Sequence, residues 1–492
     1  MTSPFPKEST RKALTETLPQ NDEASSAPSA EVSYTYVPPS HARALDPDNT
    51  LVEGIRGAGK SFWWAALNSD PHRRYLASAF PETRISTKIE ISQGFGSQLS
   101  PQLAPGKDTL AQLTETFEPR HIWRAVIATH IHFPEPFPKD KWNEKVKWVK
   151  ENPEEYDEFL YSADEQLNKG KKVHLILFDA LDRLADDWDH IRPLARSLFQ
   201  VALDMRSCRA IRTKLFVRPD MVEDRDILNF PDSSKLLARK VPLTWQRADL
   251  YALLFQCLGN AQGMEGEQFR DHCLKEFNIT WDHDSKSKAW IVPKQLRHQE
   301  DIQKAVFHAI AGPTMAGGQS GHKRGFPYTW LPNHLLDGRD QVSPRSFCSA
   351  LRRAALESIP EEWTFPLHYK SIQTGVQEAS RIRVDEITRE DYPWVQQIMS
   401  ALSGHIIVPC ESMNIISIWN EKRTIDNFRT LIDSKNGVKL PPQHLNEGPE
   451  GILKDLEELG LIKRLRDGRI QIPDVYRIGF GLGRKGGVKP LR

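Results

Sequence analysis

The pattern of hydrophobic and polar positions divides the chain into successive regions. From Asn49 to about Trp245, short apolar runs typical of buried strands alternate with stretches of helical spacing. This alternation predicts a parallel sheet covered by helices, which is an α/β fold. The stretch from about Gln246 to Glu357 is more helical and predicts a helical lid. The remainder begins near Ile359 and predicts a separate C-terminal domain.

The N-terminal segment differs in composition from the rest of the chain. Residues 1–45 are rich in Ser, Pro, Thr and Glu and poor in large apolar side chains. Such a segment buries too little apolar surface to offset the entropy cost of ordering, so we predict a disordered tail over residues 1–45. The predicted domain boundaries are then 46–245 for the sheet, 246–358 for the lid and 359–492 for the C-terminal domain.

The C-terminal domain ends in a pattern of one helix and two short strands. Apolar residues recur with helical spacing between Ile452 and Leu459, and Gly460 is a typical helix stop. The residues that follow alternate around Asp467-Gly468, which is a strong hairpin signal. A helix followed by two strands is typical of the end of a winged helix-turn-helix, so we predict a winged-helix domain here.

Composition excludes several classes of protein. The chain has 66 Lys and Arg against 65 Asp and Glu, so no overall field attracts nucleic acid or a membrane. Its five cysteines show no C-x-x-C spacing, which favours reduced thiols over a zinc site or a disulfide framework. No apolar run approaches the roughly 18 residues of a membrane span, and the N-terminus lacks the apolar core of a signal peptide. We therefore predict a cytoplasmic protein without a membrane partner.

One loop predicts the ligand. In the stretch from Leu51 to Phe62, the residues Gly54, Gly59, Lys60 and Ser61 fill the pattern G-x-x-x-x-G-K-[ST]. In this pattern backbone amides surround the phosphates, the lysine neutralises the terminal ones and the hydroxyl binds magnesium. Apolar residues precede the loop and a helix-compatible run follows it, so the phosphates would lie at a helix N-terminus. The predicted nucleotide-binding residues are Gly54, Arg56, Gly57, Ala58, Gly59, Lys60, Ser61 and Phe62.

A second motif supplies acids. The run from Lys171 to Phe178 reads as a buried strand that ends in Asp179, and ligands bind at the carboxyl ends of parallel strands. We predict that Asp179 and Ser61 hold Mg²⁺. Many hydrolysing enzymes carry a second acid directly afterwards to orient water, but here Ala180 occupies that place, so we predict slow hydrolysis. Asp182 either orients the water or caps a short helix.

Two arginines are candidate sensors of the terminal phosphate. Arg218 follows the strand-like run that ends at Val217, and on a parallel sheet it would emerge beside the phosphates. The alternative is a surface arginine before a proline turn. Ser343 and Pro344 predict a helix start that aims Arg345 out of the first turn, where it contacts phosphate or is merely solvated.

With these residues placed, the chain resembles the AAA+/STAND branch of P-loop ATPases over residues 46–355. The loop resembles the arginine-containing loops of that branch, and the stretch from Phe178 to Arg183 resembles its Walker B motif, with Ala180 as a departure. The resemblance implies a P-loop ATPase core with ATP and Mg²⁺ as ligands, Asp179, Asp182 and Arg218 as catalytic residues, and Arg345 as the sensor of the lid. It also implies that an arginine finger lies near Arg239 and Lys240. Bacterial proteins of this plan are often encoded in defence or mobile-element operons.

Three functions follow from this reading. The first is an ATP-binding and slowly hydrolysing switch that controls a protein effector or self-association, with phage defence as one setting. The second is a DNA-binding ATPase regulator or loader resembling origin-recognition proteins, because residues 461–492 contain nine Lys or Arg against two Asp, a difference of +7. The third is a nucleotide-gated scaffold that does not hydrolyse ATP. The predicted helix before the hairpin is acidic, which argues against its binding in the major groove of DNA.

Overall fold

The computed structural model describes residues 3–19, 31–86, 88–97, 100–132, 134, 136–317, 321–432, 438–486 and 488–490. The chain forms two compact units. We call residues 37–244 the sheet unit, and the described parts of residues 3–36 and 245–490 the helical unit. Each unit is considered by itself below.

The regular elements are numbered in chain order. The strands are β1 (Leu51–Glu53), β2 (Ile89–Phe95), β3 (Val173–Phe178), β4 (Ile211–Val217), β5 (Val241–Pro242), β6 (Asp282–Asp284), β7 (Ala289–Ile291), β8 (Ile407–Val408), β9 (Lys463–Arg464), β10 (Ile470–Gln471) and β11 (Gly483–Arg484). Helices of the sheet unit are α2 (Pro39–Leu45), α3 (Lys60–Asn68), α4 (Asp70–Ala79), α5 (Lys107–Thr116), α6 (Pro119–His130), α7 (Trp142–Glu151), α8 (Pro153–Lys169), α9 (Trp188–Asp204), α10 (Pro219–Glu223), α11 (Arg225–Leu228) and α12 (Ser233–Leu237). Helices of the helical unit are α1 (Lys7–Thr17), α13 (Arg247–Gly259), α14 (Met264–Phe277), α15 (Lys294–His298), α16 (Glu300–Ala311), α17 (Pro327–Asn333), α18 (Pro344–Leu356), α19 (Tyr369–Asp385), α20 (Pro393–Ser400), α21 (Ser412–Glu421), α22 (Thr424–Ile432), α23 (Pro449–Glu458) and α24 (Asp474–Arg477).

The sheet unit contains a parallel sheet of five strands in the order β2-β3-β4-β1-β5. Every neighbouring pair of strands is parallel, as the alternation of apolar runs and helical segments predicts. The fold is thus the predicted α/β fold with a parallel sheet. Phe178 pairs with Leu215, and Glu53 pairs with Val217, so β1, β3 and β4 end at one edge of the sheet. Because β4 lies between β1 and β3, the residue after β4 emerges between those after the other two strands.

Large aromatic side chains fix the helices on this sheet. The ring of Trp123 on α6 packs edge-on against Phe95 and Phe178, with centroid distances of 6.0 Å and 5.9 Å. On α3, the buried Trp64 donates its Nε1–H to the Phe95 carbonyl at 3.1 Å. A Cβ at Gly96 would lie 2.2 Å from the Trp64 ring, so this approach requires glycine. These contacts hold helix α3, which begins at the end of the predicted phosphate-binding loop.

The prediction of a disordered tail over residues 1–45 is wrong for the described residues. Residues of α1 pack against α13, α14 and α18. Phe5 stacks on Phe269 with ring centroids 4.9 Å apart, and Arg11 donates to the Glu357 carbonyl at 2.6 Å. A low average apolar content hid the buried residues of this segment, among which Phe5, Ala13, Leu14 and Leu18 lie in or beside α1. Residues 1–2 and 20–30 of the predicted tail lie outside the described residues.

The predicted domain boundaries also differ from the two units. The sheet unit begins at Val37 rather than at residue 46, because α2 is buried within it. It ends at Thr244, one residue before the predicted boundary. The predicted boundary between 358 and 359 does not separate units, because α18 and α19 on either side of it pack against each other.

The C-terminal region has the predicted helix and hairpin. Helix α23 precedes the antiparallel strands β9 and β10, which turn at Asp467-Gly468, where Gly468 has φ of +86°. The hairpin continues into a further pairing, because Cys410 and Ile470 exchange backbone hydrogen bonds of 3.1 Å and 2.7 Å. Among the described residues, no helix is long and apolar enough to cross a membrane.

Candidate functional site

The predicted phosphate-binding loop connects β1 to α3. The backbone N–H of Gly54 donates to the Val217 carbonyl at 3.0 Å, which ties the start of the loop to β4. Gly57 and Gly59 have φ of +76° and +106°, a left-handed conformation that favours glycine. Helix α3 begins at Lys60, so the amides of its first turn, which have no partner within the helix, lie at the end of the loop. This backbone arrangement is compatible with the predicted binding of a phosphate.

Lys60 contributes a positive charge to this loop. It is half-buried, and its Nζ donates to the carbonyls of Gly54 at 2.8 Å and Ile55 at 3.1 Å. Burial lowers the pKa of Lys60 to about 8, although the charge of Asp179 opposes the shift. A phosphate bound in the loop would give this ammonium group a stronger partner than the neutral carbonyls.

Asp179 and Ser61 form a candidate magnesium site. Asp179 directly follows β3, is 1% exposed and accepts a hydrogen bond from the Ser61 hydroxyl. Burial raises the pKa of Asp179, while the Ser61 hydrogen bond and the charge of Lys60 oppose this shift. Its Oδ2 is buried without a hydrogen-bond partner among the described residues. A buried carboxylate oxygen beside a hydroxyl is the kind of donor set that Mg²⁺ takes, so the residues fit this ion.

Ala180 turns the chain sharply after the acid. It has φ of +56° and ψ of +40°, a left-handed conformation that costs a residue with a Cβ about 1–2 kcal/mol. The chain continues into a short 3₁₀ turn over Leu181–Arg183. This turn brings Asp182 back towards the site, and its charge acts on both Lys60 and Asp179.

Arg218 lies between two acids at the end of β4. The residue is 8% exposed, and its Nη1 lies 3.4 Å from Asp182 Oδ2. Its Nε and Nη2 donate to the two carboxylate oxygens of Asp220 at 3.1 Å and 2.8 Å. The charges of Arg218 and Asp220 both act on Lys60, so the predicted catalytic acids, the loop lysine and this arginine lie together. Asp220 was not predicted, although its position in Arg-Pro-Asp directly after the strand is a signal that could have pointed to it.

Arg345 lies in the helical unit, at the first turn of α18. As predicted, Ser343 occupies the N-cap position and Pro344 begins the helix. The Arg345 side chain is 30% exposed and donates to Glu386 Oε1 at 2.6 Å. Its role as a phosphate sensor stays a prediction. So does an arginine finger near Arg239, which is exposed in the sheet unit.

Acids accompany several of the basic side chains near the C-terminus. Arg464 lies 3.7 Å from both Glu450 and Glu457. The remaining pairs are Lys463 with Asp340, Arg469 with Asp467 at 2.7 Å, and Arg484 with Asp474 at 3.2 Å. Part of the positive charge counted in the sequence is therefore neutralised within the helical unit itself.

Comparison with known proteins gives structural similarity only. No family model and no curated protein matches this chain. The Walker-type ATPase PABY2304 of Pyrococcus abyssi is similar over 96% of this chain and 94% of that chain, with 14% identity and a TM-score of 0.35. The ORC2 protein of Aeropyrum pernix, in ADPNP–ADP complexes, is similar over 90% of this chain and 93% of that chain, with 11% identity and a TM-score of 0.37. The site therefore has to be interpreted from its own geometry.

Proposed function

We propose that this protein is a Mg²⁺-dependent ATP-binding switch that hydrolyses ATP slowly. The observation that carries the proposal is the buried Oδ2 of Asp179, which has no hydrogen-bond partner among the described residues and belongs to a carboxylate that bonds Ser61 beside Lys60. A buried carboxylate oxygen that accepts no hydrogen bond is costly in free energy. A cation bound together with a triphosphate would provide the missing partner. The choice of ATP depends on the sequence resemblance.

Each residue has a role in this proposal. Lys60 and the amides of the loop bind the phosphates, and Ser61 with Asp179 hold the metal. Magnesium, when bound, neutralises charge on the terminal phosphates. Asp182 orients the attacking water, and Arg218 donates to the terminal phosphate. Ala180 occupies the position of the usual second acid, so the more distant Asp182 has to accept the proton of the attacking water. This distance is the reason for slow turnover.

The C-terminal elements are proposed to form a winged helix that serves in packing. Three features support it: the order α20, β8, α21, α22, α23, β9, β10, the pairing of Cys410 with Ile470, and the hairpin turn. The end of α23 is held within the helical unit, because Gly338 donates its N–H to the Gly460 carbonyl at 2.7 Å. Acids lie beside several of its basic residues, which favours control of a protein effector or self-association over DNA binding. The setting that the sequence resemblance implies is phage defence.

Nucleotide turnover tests this function directly. Wild-type protein should bind ATP in calorimetry and release phosphate slowly when Mg²⁺ is present. Asp179→Ala should abolish the Mg²⁺-dependent release, and Asp182→Ala should slow it by a factor of about ten to a thousand. Asp186→Ala removes an exposed acid on the same connection and serves as the control with wild-type turnover. Full activity in the Asp179 variant would refute the site, and full activity in the Asp182 variant would return that residue to a structural role.

Duplex DNA binding separates the packing role from the DNA-loading alternative. The intact protein should not retain duplex DNA at physiological salt. If it does, replacing the four basic residues Arg466, Arg469, Arg484 and Lys485 by Gln should reduce the log–log salt slope by about three to four. That result would favour the loader over the switch.

A further inference from the structure

The Arg-Pro-Asp turn after β4 holds its arginine in one orientation. Asp220 accepts from both Nε and Nη2 of Arg218, and such bidentate pairing fixes the plane of a guanidinium as well as its position. The side chains of Arg218 and Asp220 are only 10% and 9% exposed, so water competes little with the pair. The backbone between them is also fixed, because Pro219 restricts φ and the N–H of Met221 donates to the Arg218 carbonyl at 3.2 Å.

The same guanidinium lies next to a second acid. Its Nη1 reaches Asp182 Oδ2 in a single contact of 3.4 Å, which is longer than either contact with Asp220. Arginine binds a carboxylate most strongly with two parallel hydrogen bonds. Without Asp220, the N–H donors of Arg218 that it holds would be released. The guanidinium could then rotate and form two parallel hydrogen bonds with Asp182. A carboxylate paired in that way is a weaker proton acceptor, because the adjacent cation favours its ionised form.

We propose that Asp220 is a positioning residue that keeps Arg218 and Asp182 from pairing fully with each other. It holds two donors of the guanidinium and leaves Nη1 directed at the site, where the charges of Lys60, Asp179 and Asp182 meet. Arg218 then stays available to the terminal phosphate, and Asp182 stays available to the attacking water. This inference rests on the proposed function and adds a residue to it.

The geometry predicts which kinetic constants depend on Asp220. The loop and Lys60 bind the phosphates that ATP and ADP share, whereas Asp220 holds Arg218, which is proposed to contact the terminal phosphate. Losing Asp220 should therefore leave the affinity for ADP within about threefold of the wild-type value. It should lower kcat roughly ten- to a hundredfold and reduce the ATP-to-ADP affinity ratio roughly tenfold, because both effects depend on the terminal phosphate.

The experiment compares Asp220→Asn with Asp226→Asn. Asn is close to Asp in shape and keeps one acceptor, so the fold should persist, which thermal unfolding checks. Asp226 is an exposed acid on the adjacent helix α11, lies 3.7 Å from Arg192, and should tolerate the same change without effect. A wild-type kcat and affinity ratio in Asp220→Asn would overturn the inference. So would an equal loss of affinity for ATP and for ADP, since that indicates a general disturbance of the site.

A double variant tests the competition itself. In Asp182→Ala/Asp220→Asn, Arg218 no longer has the second carboxylate to pair with. The ATP-to-ADP affinity ratio should then return to within about threefold of the ratio for Asp182→Ala alone, which is a non-additive result. Additive losses would overturn the inference while leaving the proposed function intact. If wild-type protein binds neither nucleotide, the proposed function fails, and the inference fails with it.

Discussion

The sheet unit and the helical unit place their candidate sensor arginines in different surroundings. Arg218 follows a buried central strand and is 8% exposed. Its charge interacts with those of Lys60 and Asp182. Arg345 begins a helix, has a side chain that is 30% exposed, and pairs with Glu386. Glu386 also lies 3.5 Å from Arg383, so the same carboxylate forms ion pairs with Arg345 and Arg383.

The difference shows how strongly each element constrains its side chain. A strand inside a parallel sheet has fixed neighbours, so the residue after β4 must emerge between the loop and Asp179. An arginine in the first turn of a helix can reach in several directions, and a carboxylate elsewhere in the chain can bind it. The proposed role of Arg218 depends on the topology of the sheet, whereas the proposed role of Arg345 would also require Glu386 to release it.

The largest expected effect concerns the stability of the helical unit. Phe5 is 2% exposed and lies 4.9 Å from the ring of Phe269, so Phe5→Ala should lower the free energy of unfolding by about 3–5 kcal/mol. Urea unfolding measures this loss. Glu16→Ala, which removes an exposed side chain from α1, is the control and should change stability by less than about 0.5 kcal/mol. Equal stability of the two variants would contradict the packed N-terminal segment.

Acid should destabilise the sheet unit through its buried histidines. Burial lowers the pKa of His130 from 6.5 to about 4 and that of His41 to about 3. The unfolded chain therefore takes up protons below pH ~6.5 that the folded chain does not, and stability falls as pH drops towards 4. For His130 the loss should be on the order of 2–3 kcal/mol at pH 4.

Replacing His130 by Gln should flatten the pH profile of urea unfolding. The exposed His405 provides the control, because His405→Gln should leave the profile as in wild type. If both variants flatten the pH profile equally, the burial of His130 is not the cause of the acid destabilisation.

Arg345 and its partner provide a smaller effect. Arg345→Ala should keep ATP affinity within about tenfold, because it removes a single charged contact that is proposed to form only in the ATP state. Solution scattering should then no longer distinguish the ATP and ADP states. Glu386→Gln should have the opposite effect and increase their difference, since it frees the guanidinium. Scattering curves that still differ in Arg345→Ala would exclude a sensor role.

The smallest effect concerns the turn after Asp179. Ala180→Gly should relieve the left-handed conformation and stabilise the protein by roughly 0.5–1 kcal/mol after the entropy cost of glycine is included. Thermal unfolding measures the gain, and a loss of stability would show that the methyl group contributes packing instead.

The sequence predicted the parts of the molecule that depend on local pattern and sheet topology. The loop, Asp179 and Arg218 could be placed because parallel strands present their carboxyl ends at one edge. Asp220 was missed, since an acid three residues after a strand end is a weak signal that is common in turns for other reasons. Glu386 is 41 residues from Arg345 and lies in a π-helical turn, which the hydrophobic pattern does not reveal. Average composition concealed the buried face of α1 because only a few residues form it.

Calorimetric titration of Lys60→Ala with Mg²⁺-ATP tests the central claim most directly. Lys172→Ala is the matched control, because Lys172 is an exposed lysine just before the amino end of β3 and pairs with Glu90 at 2.8 Å. Wild-type protein and the control should bind ATP alike, while Lys60→Ala should lose roughly ten- to a hundredfold in affinity and keep the wild-type circular dichroism spectrum. An ATP affinity in Lys60→Ala equal to that of wild type would contradict the assignment of the loop as the nucleotide site.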